Sequence, residues 1–319
     1  MWQANLSWED AKKRAEIIAT IRQFFTTREV IEVETPLLSH GTVTDVHLDA
    51  FSTKAYPAID NKLMYLQTSP EFAMKRLLAS GFQSIYQICK AFRYEDSGRF
   101  HNAEFTMLEW YRLGFDHYAL MDEVDELLQY VLACEPSDKF TYQQLFQTYL
   151  NIDPLNTDLN ELKACLAAND ILGDWITAEK DLDVLLQVLF SEVIERQIGK
   201  ERPVMVYHYP SSQAALAKIS KEDNRVAERF ECYFHGIELA NGFHELVNAS
   251  EQAERFKQDN LKRKAIGKPE MPIDDNFLQA LEVGLPKCAG VALGVDRLLM
   301  IALKKTSIEK VLTFTTENA

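Results

Sequence analysis

Two arginines, a glycine-rich run and a pair of spaced glutamates could together do chemistry on a phosphorylated substrate. Arg93 stands in Phe92-Arg93-Tyr94-Glu95, and Arg297 closes Gly290-Val291-Ala292-Leu293-Gly294-Val295-Asp296-Arg297. A planar guanidinium can hold a phosphate oxygen at two points and stabilise charge developing at phosphorus. Glycine permits close backbone approach to a nucleotide, and the helix predicted to open at Leu298-Leu299-Met300-Ile301 offers phosphate its N-terminus. Between the arginines lies Glu238-Leu239-Ala240-Asn241-Gly242-Phe243-His244-Glu245. Hard carboxylates of this kind share Mg²⁺ with substrate phosphates, and Glu238 is the stronger metal candidate, with Glu245 second. R-x-E alone is most often a surface ion pair, and G-x-x-x-G alone a packing feature; the combination in this order carries the signal.

These residues need a scaffold. Gln87–Arg93 and Phe105–Trp110 can form two antiparallel strands, with Glu95 on the same strand face as Arg93 and with Gly98 and Asn102 as turn formers between them. Ser7-Trp8-Glu9-Asp10 reads as a capping box before a helix with Ile17, Ile18, Ile21, Phe24 and Phe25 on one face. Alternation at Ile31 and Val33 then predicts a strand ended by Pro36. Residues 136–200 read as mostly helical, with Leu182, Leu185, Leu186, Leu189 and Val193 on one buried face. Strands are expected from Val204 to Tyr209 and from Val226 to Leu239, and a helix over 250–265. The basic cluster on that helix (Arg255, Lys257, Lys262, Arg263, Lys264) reads as a solvated face. Thr68-Ser69-Pro70-Glu71 precedes another helix, carrying Lys75-Arg76-Leu77-Leu78.

Composition narrows the classes. The 319 residues are 47% hydrophobic, enough for a full core, and the net charge of −14 gives no basic footprint for nucleic acid. The five cysteines are scattered without a C-x-x-C pair, so neither a disulfide framework nor a zinc site is expected of them. The N-terminal 30 residues show no signal-peptide core, and no apolar run is long enough to span a membrane. A soluble cytoplasmic protein is the expectation.

The order and spacing of these motifs resemble motifs 2 and 3 of the class II aminoacyl-tRNA synthetases. The strings His101-Asn102-Ala103-Glu104-Phe105-Thr106-Met107-Leu108-Glu109 and Glu238-Leu239-Ala240-Asn241-Gly242-Phe243 are similar to lysyl-tRNA synthetase almost residue for residue. The resemblance implies an α+β fold with an antiparallel β-sheet flanked by helices, and a homodimer formed near the N-terminus. It covers essentially the whole chain, 1–319, as one catalytic domain with a mostly helical insertion at about 136–200 and no anticodon-binding domain. It implies ATP as substrate with Mg²⁺, and catalytic roles for Arg93 and Arg297. Glu95 would contact the adenine amino group, Phe105 and Arg297 would cover its two faces, and His101 and Asn102 would lie near the phosphates. Glu238, Leu239 and Gly294 complete the implied ATP site, and in the family Asn241-Gly242 interrupts strand alternation so that Glu238 and Glu245 both reach it. Glu71 would receive a substrate ammonium, with Glu109, Tyr111 and Glu245 as further contacts. Because a buried ammonium needs several acceptors, these glutamates favour a lysine-like ligand.

Two positions depart from lysyl-tRNA synthetases: Ser69 replaces a typical alanine, and Ala292 a typical glycine. An added hydroxyl and an added methyl reshape the space around the substrate's α-carbon and amino group, which argues against L-α-lysine. With no anticodon-binding domain expected, the pattern resembles the elongation factor P β-lysine ligases. That family adenylates (R)-β-lysine and transfers it to a lysine side chain of elongation factor P. Rival readings are a stand-alone enzyme charging tRNA with lysine, an ammonia-using asparagine synthetase, which would need a cationic pocket, and an inactive paralogue, which would have lost Arg93, Glu238 or Arg297.

Overall fold

The computed structural model describes residues 2–54, 63–95 and 97–319, in two compact units. The first unit comprises residues 1–116, 130–132 and 245–319, and the second 117–129 and 133–244.

The first unit opens with α1 (Trp8–Thr26), capped by the Ser7 hydroxyl accepting from the Asp10 amide. β1 is shorter than alternation predicts. Only Ile31–Glu32 pair in the ladder, although the Val33 amide still donates to the Tyr86 carbonyl at 2.8 Å. β2 (Leu38–Ser39), β3 (Ser52–Lys54) and β4 (Leu63–Leu66) make a small antiparallel sheet in the order β2-β4-β3. Then come α2 (Glu71–Ala79), β5 (Ile85–Phe92) and β6 (Glu104–Leu113), the last two antiparallel as expected.

The second unit begins with α3 (His117–Leu132) and continues through β7 (Asp138–Thr141), α4 (Tyr142–Leu150), α5 (Leu159–Ala168), α6 (Asp174–Ala178) and α7 (Leu182–Leu189). A π-helical turn at Phe190–Ile194 extends α7. Its extra residue rotates the buried face, so Ile194 enters the core where strict helical spacing places Val193. β8 (Val204–Tyr207) precedes a hairpin, β9 (Arg229–Phe234) and β10 (Ile237–His244). This hairpin replaces the single strand expected over Val226–Leu239. Its two-residue turn, His235-Gly236, has φ of 52° and 69°, as a tight hairpin with positive φ at both positions requires.

The first unit closes with α8 (Ala249–Ala265), α9 (Asp275–Gly284), β11 (Cys288–Gly294) and α10 (Val295–Ala302). On α8, Arg263 departs from the solvated basic face. It is fully buried, and its guanidinium donates to the carbonyls of Asp45, Leu48 and Pro269 and to the Asp49 carboxylate. The strand order β1-β5-β6-β11 gives this unit a sheet with two different faces. On one, Tyr86 opposes Trp110 and Ile88 opposes Leu108, and Phe25 of α1 stacks on Tyr86 with ring centroids 4.4 Å apart. The other carries Phe105, Met107, Glu109 and Tyr111 of β6, flanked by Gly290, Ala292 and Gly294 of β11. α1 buries the first face; the second carries several of the candidate site residues.

Candidate active site

Around Glu109 the first unit assembles a pocket of acids. Ser69, just before α2, accepts from the Glu71 amide and donates its hydroxyl to Glu109 Oε1 at 2.5 Å. Tyr111, two residues on along β6, donates to Glu109 Oε2 at 3.1 Å. Glu245 is anchored through its amide to the Cys288 carbonyl at 3.1 Å. Gly290 leaves room for these groups: a Cβ there would stand 2.3 Å from Tyr111 Cε1 and 2.5 Å from Glu245 Oε1. Ala292 pairs directly opposite Glu109. The two departures, Ser69 and Ala292, thus converge on one carboxylate.

Lys75 is the pocket residue that sequence reading does not select. One turn along α2 from Glu71, its ammonium is buried and lies 2.5 Å from both Glu71 Oε1 and Glu245 Oε2. Burial opposes its charge, but Glu245 and Glu71 outweigh that and hold it protonated. The i, i+4 spacing of Glu71 and Lys75 was the available signal. The carboxylates respond in the opposite direction. Burial and then the neighbouring Glu71 charge push Glu109 up to about 8, against hydrogen bonds from Ser69 and Tyr111. Burial also raises Glu245, against the opposing pull of Lys75. The three carboxyl groups of the cluster outnumber its one lysine.

The arginines sit on the same unit. Arg93 continues the β5–β6 ladder, its amide donating to the Ala103 carbonyl at 3.0 Å, and its guanidinium carbon lies 5.2 Å from the Phe105 ring centre. Glu95 lies beyond the strand's end, exposed, so it does not share a strand face with Arg93 as alternation predicts. Arg297 is in the first turn of α10, whose N-cap is Gly294, and approaches His101 Nε2 at 2.7 Å through Nη2. Desolvation and the Arg297 charge lower the His101 pKa, favouring the neutral ring. Buried Asp296 fixes this turn, accepting from the Thr106 amide at 2.6 Å and from Arg14 at 2.7 Å. Asn102 is buried, donating to the Glu104 carbonyl and accepting from Thr316.

Glu238 and Leu239 belong to the second unit. The register shift in β10 lies between Glu238 and Ala240, whereas Asn241 and Gly242 pair regularly with Glu231 and Phe230. The interruption is therefore a bulge at Leu239, not a break at Asn241-Gly242, and its extra residue gives Glu238 the same facing as Asn241. Nearby on β9, Glu231 is buried and accepts from Tyr209 at 2.6 Å, from Arg229 at 2.5 Å, and from Tyr233.

Residues 4–318 match the family described as tRNA synthetases class II (D, K and N). Proteins named elongation factor P--(R)-beta-lysine ligase from Salmonella paratyphi B, Salmonella heidelberg and Salmonella typhimurium are each 55% identical over 320 residues, covering 100% of this chain and 98% of theirs. The chain belongs to the class II tRNA synthetases of the D, K and N group, and shares their mixed fold of an antiparallel-rich sheet flanked by helices.

Proposed function

We propose that this chain is an ATP-dependent, AMP-forming ligase that activates (R)-β-lysine and transfers it to a lysine side chain of elongation factor P. The observation that carries the reading is the buried acid pocket of Glu71, Glu109 and Glu245, with Ser69 and Ala292 both set against Glu109. It is a site built for a ligand with amino groups, altered where lysyl-tRNA synthetases are typically plain. Relatives named for this activity match along the whole chain.

In the proposed reaction the acids and Tyr111 orient the substrate's ammonium groups. The substrate carboxylate attacks the α-phosphorus of ATP, Arg93 offsets charge on the phosphoryl oxygens, and pyrophosphate leaves toward Arg297. The acceptor's lysine amine, deprotonated, then attacks the carbonyl of the mixed anhydride; an amide forms and AMP departs. Phe105 and Arg297 cover the adenine, with Glu95, His101, Asn102 and Gly294 completing the first unit's part of the nucleotide's surroundings. Mg²⁺ would neutralise charge on the ATP phosphates, and half-buried Glu238 suits it as a hard oxygen ligand. Glu245 fits Mg²⁺ poorly, because the Lys75 ammonium already stands 2.5 Å from its carboxylate. We assign Glu245 to the amino acid. The enzyme acts as a cytoplasmic homodimer in this reading, and tRNA is not its acceptor.

The test is the intact mass of elongation factor P after incubation with the enzyme, ATP and Mg²⁺, with (R)-β-lysine and L-α-lysine supplied in separate reactions. A rapid gain with β-lysine alone is expected. No gain with either isomer would remove the protein-ligase reading and make charging of tRNA with lysine the leading one.

A further inference from the structure

The second unit brings three potential metal ligands together from distant segments, with a further histidine beside one of them. His117 opens α3, His208 follows β8, Glu228 precedes β9, and His244 ends β10. Ligand atoms of His117, Glu228 and His244 all lie within 4.8 Å of one another. His117 Nε2 stands 3.2 Å from His208 Nε2, and His244 Nδ1 stands 2.5 Å from Glu228 Oε2. His117 is buried and the other three are half-buried.

Two imidazole nitrogens at 3.2 Å either share one hydrogen or share one ion. A tetrahedral zinc ion with Zn–N bonds of about 2.0–2.1 Å spaces its nitrogen ligands about 3.3 Å apart, so the His117–His208 edge already has the required length. The Glu228–His244 edge has to open by about 0.8 Å to reach the same spacing. Other groups are also drawn to these atoms: Lys218 Nζ lies 3.5 Å from Glu228 Oε2, and the Tyr118 hydroxyl 3.3 Å from His208 Nε2. The first shows that the carboxylate already faces a cation, whose place an ion would take. Three imidazoles and one carboxylate form a borderline ligand set that suits zinc, unlike the all-oxygen sets of Mg²⁺ and Ca²⁺.

We propose that His117, Glu228 and His244 hold a zinc-type divalent cation, with His208 moving in beside His117 as the fourth ligand, clipping together α3, the segment after β8, and the β9–β10 hairpin. With four protein ligands it has no open position and is structural, not catalytic.

The test uses the full chain without a histidine tag, stripped of metal and titrated with Co²⁺ in excess Mg²⁺. One equivalent of Co²⁺ should give the visible absorption of a tetrahedral site without a thiolate charge-transfer band, and Zn²⁺ should displace it. His117→Gln and His244→Gln should each weaken Zn²⁺ binding at least about 10-fold while the metal-free melting temperature stays near wild type. X-ray absorption of the wild-type zinc complex gives an answer that needs no variant: a nitrogen and oxygen shell near about 2.0 Å is expected, whereas a sulfur shell near about 2.3 Å would move the ion to cysteine. That sulfur shell, the absence of stoichiometric binding, or unchanged affinity in both variants overturns the proposal.

Discussion

Glu109 shows how a functional residue can oppose stability. Its carboxyl is raised to about 8 from an ordinary 4.5, mainly by burial. The folded protein therefore holds this proton more tightly than the unfolded chain does. The stability associated with the proton is fully present below pH 4.5 and is lost as pH rises to about 8. Glu109→Gln cannot ionise, so its advantage over wild type should be nil near pH 4 and reach about 4 kcal/mol near pH 8. Thermal melts across that range check this, and the same variant should lose amino-acid activation. A cationic substrate favours the ionised carboxylate, so its binding should release a proton. We expect KM for the amino acid to fall from pH 6 toward 8, and a flat profile over that range would contradict the assignment. Arg93→Ala should lower ATP–pyrophosphate exchange by about 10²–10³ while leaving the melting temperature unchanged. Normal exchange would remove Arg93 from the chemistry.

Among the elements, β11 has the least tolerance. Gly290 admits Tyr111 and Glu245 side by side, and the 2.3 Å approach of a Cβ to the Tyr111 ring leaves no room for even a methyl. Gly290→Ala should raise KM for the amino acid at least about 10-fold through displacement of the pocket groups, with KM for ATP little changed. Steady-state kinetics with each substrate varied separates the two. The elements most legible in sequence had local causes: Ser7 caps α1, β5 and β6 alternate cleanly, and α10 follows the glycine-rich run. Less legible elements depended on non-local or subtle choices. The β9–β10 turn uses His235-Gly236, and a histidine at positive φ does not announce a hairpin as asparagine would. The bulge at Leu239 and the π-turn at Phe190–Ile194 each insert one residue, which periodicity cannot register because it assumes a constant repeat. In the pocket, the acids were recognisable from motif order, but Lys75 was not, since only the fold brings Glu245 to it. Arg263 was misread because an arginine's charge says nothing about the carbonyls that await it.

For the molecule as a whole, the first unit exposes large apolar side chains near its N-terminus: Trp2 at 87%, Trp8 at 75% and Ile31 at 61%. Exposed apolar side chains at α1 and the edge strand β1 fit the proposed self-association. Sedimentation of the wild type should show a dimer at micromolar concentration, and a Trp8→Glu, Ile31→Glu double variant should be monomeric with its fold retained. A monomeric wild type would count against the dimer. Among the described residues no helix is long and apolar enough to cross a membrane, and all five cysteines are free thiols.

The buried Lys75 ammonium also sets the terms for inhibitor chemistry. With Glu71, Glu109 and Glu245 ionised, one internal ammonium leaves the site with two negative charges in excess. A dicationic ligand closes that gap outright, whereas a monoamine of the same shape must leave one carboxyl protonated. Diamines should therefore outcompete matched monoamines by a margin that widens in alkaline buffer for as long as their own amines remain charged.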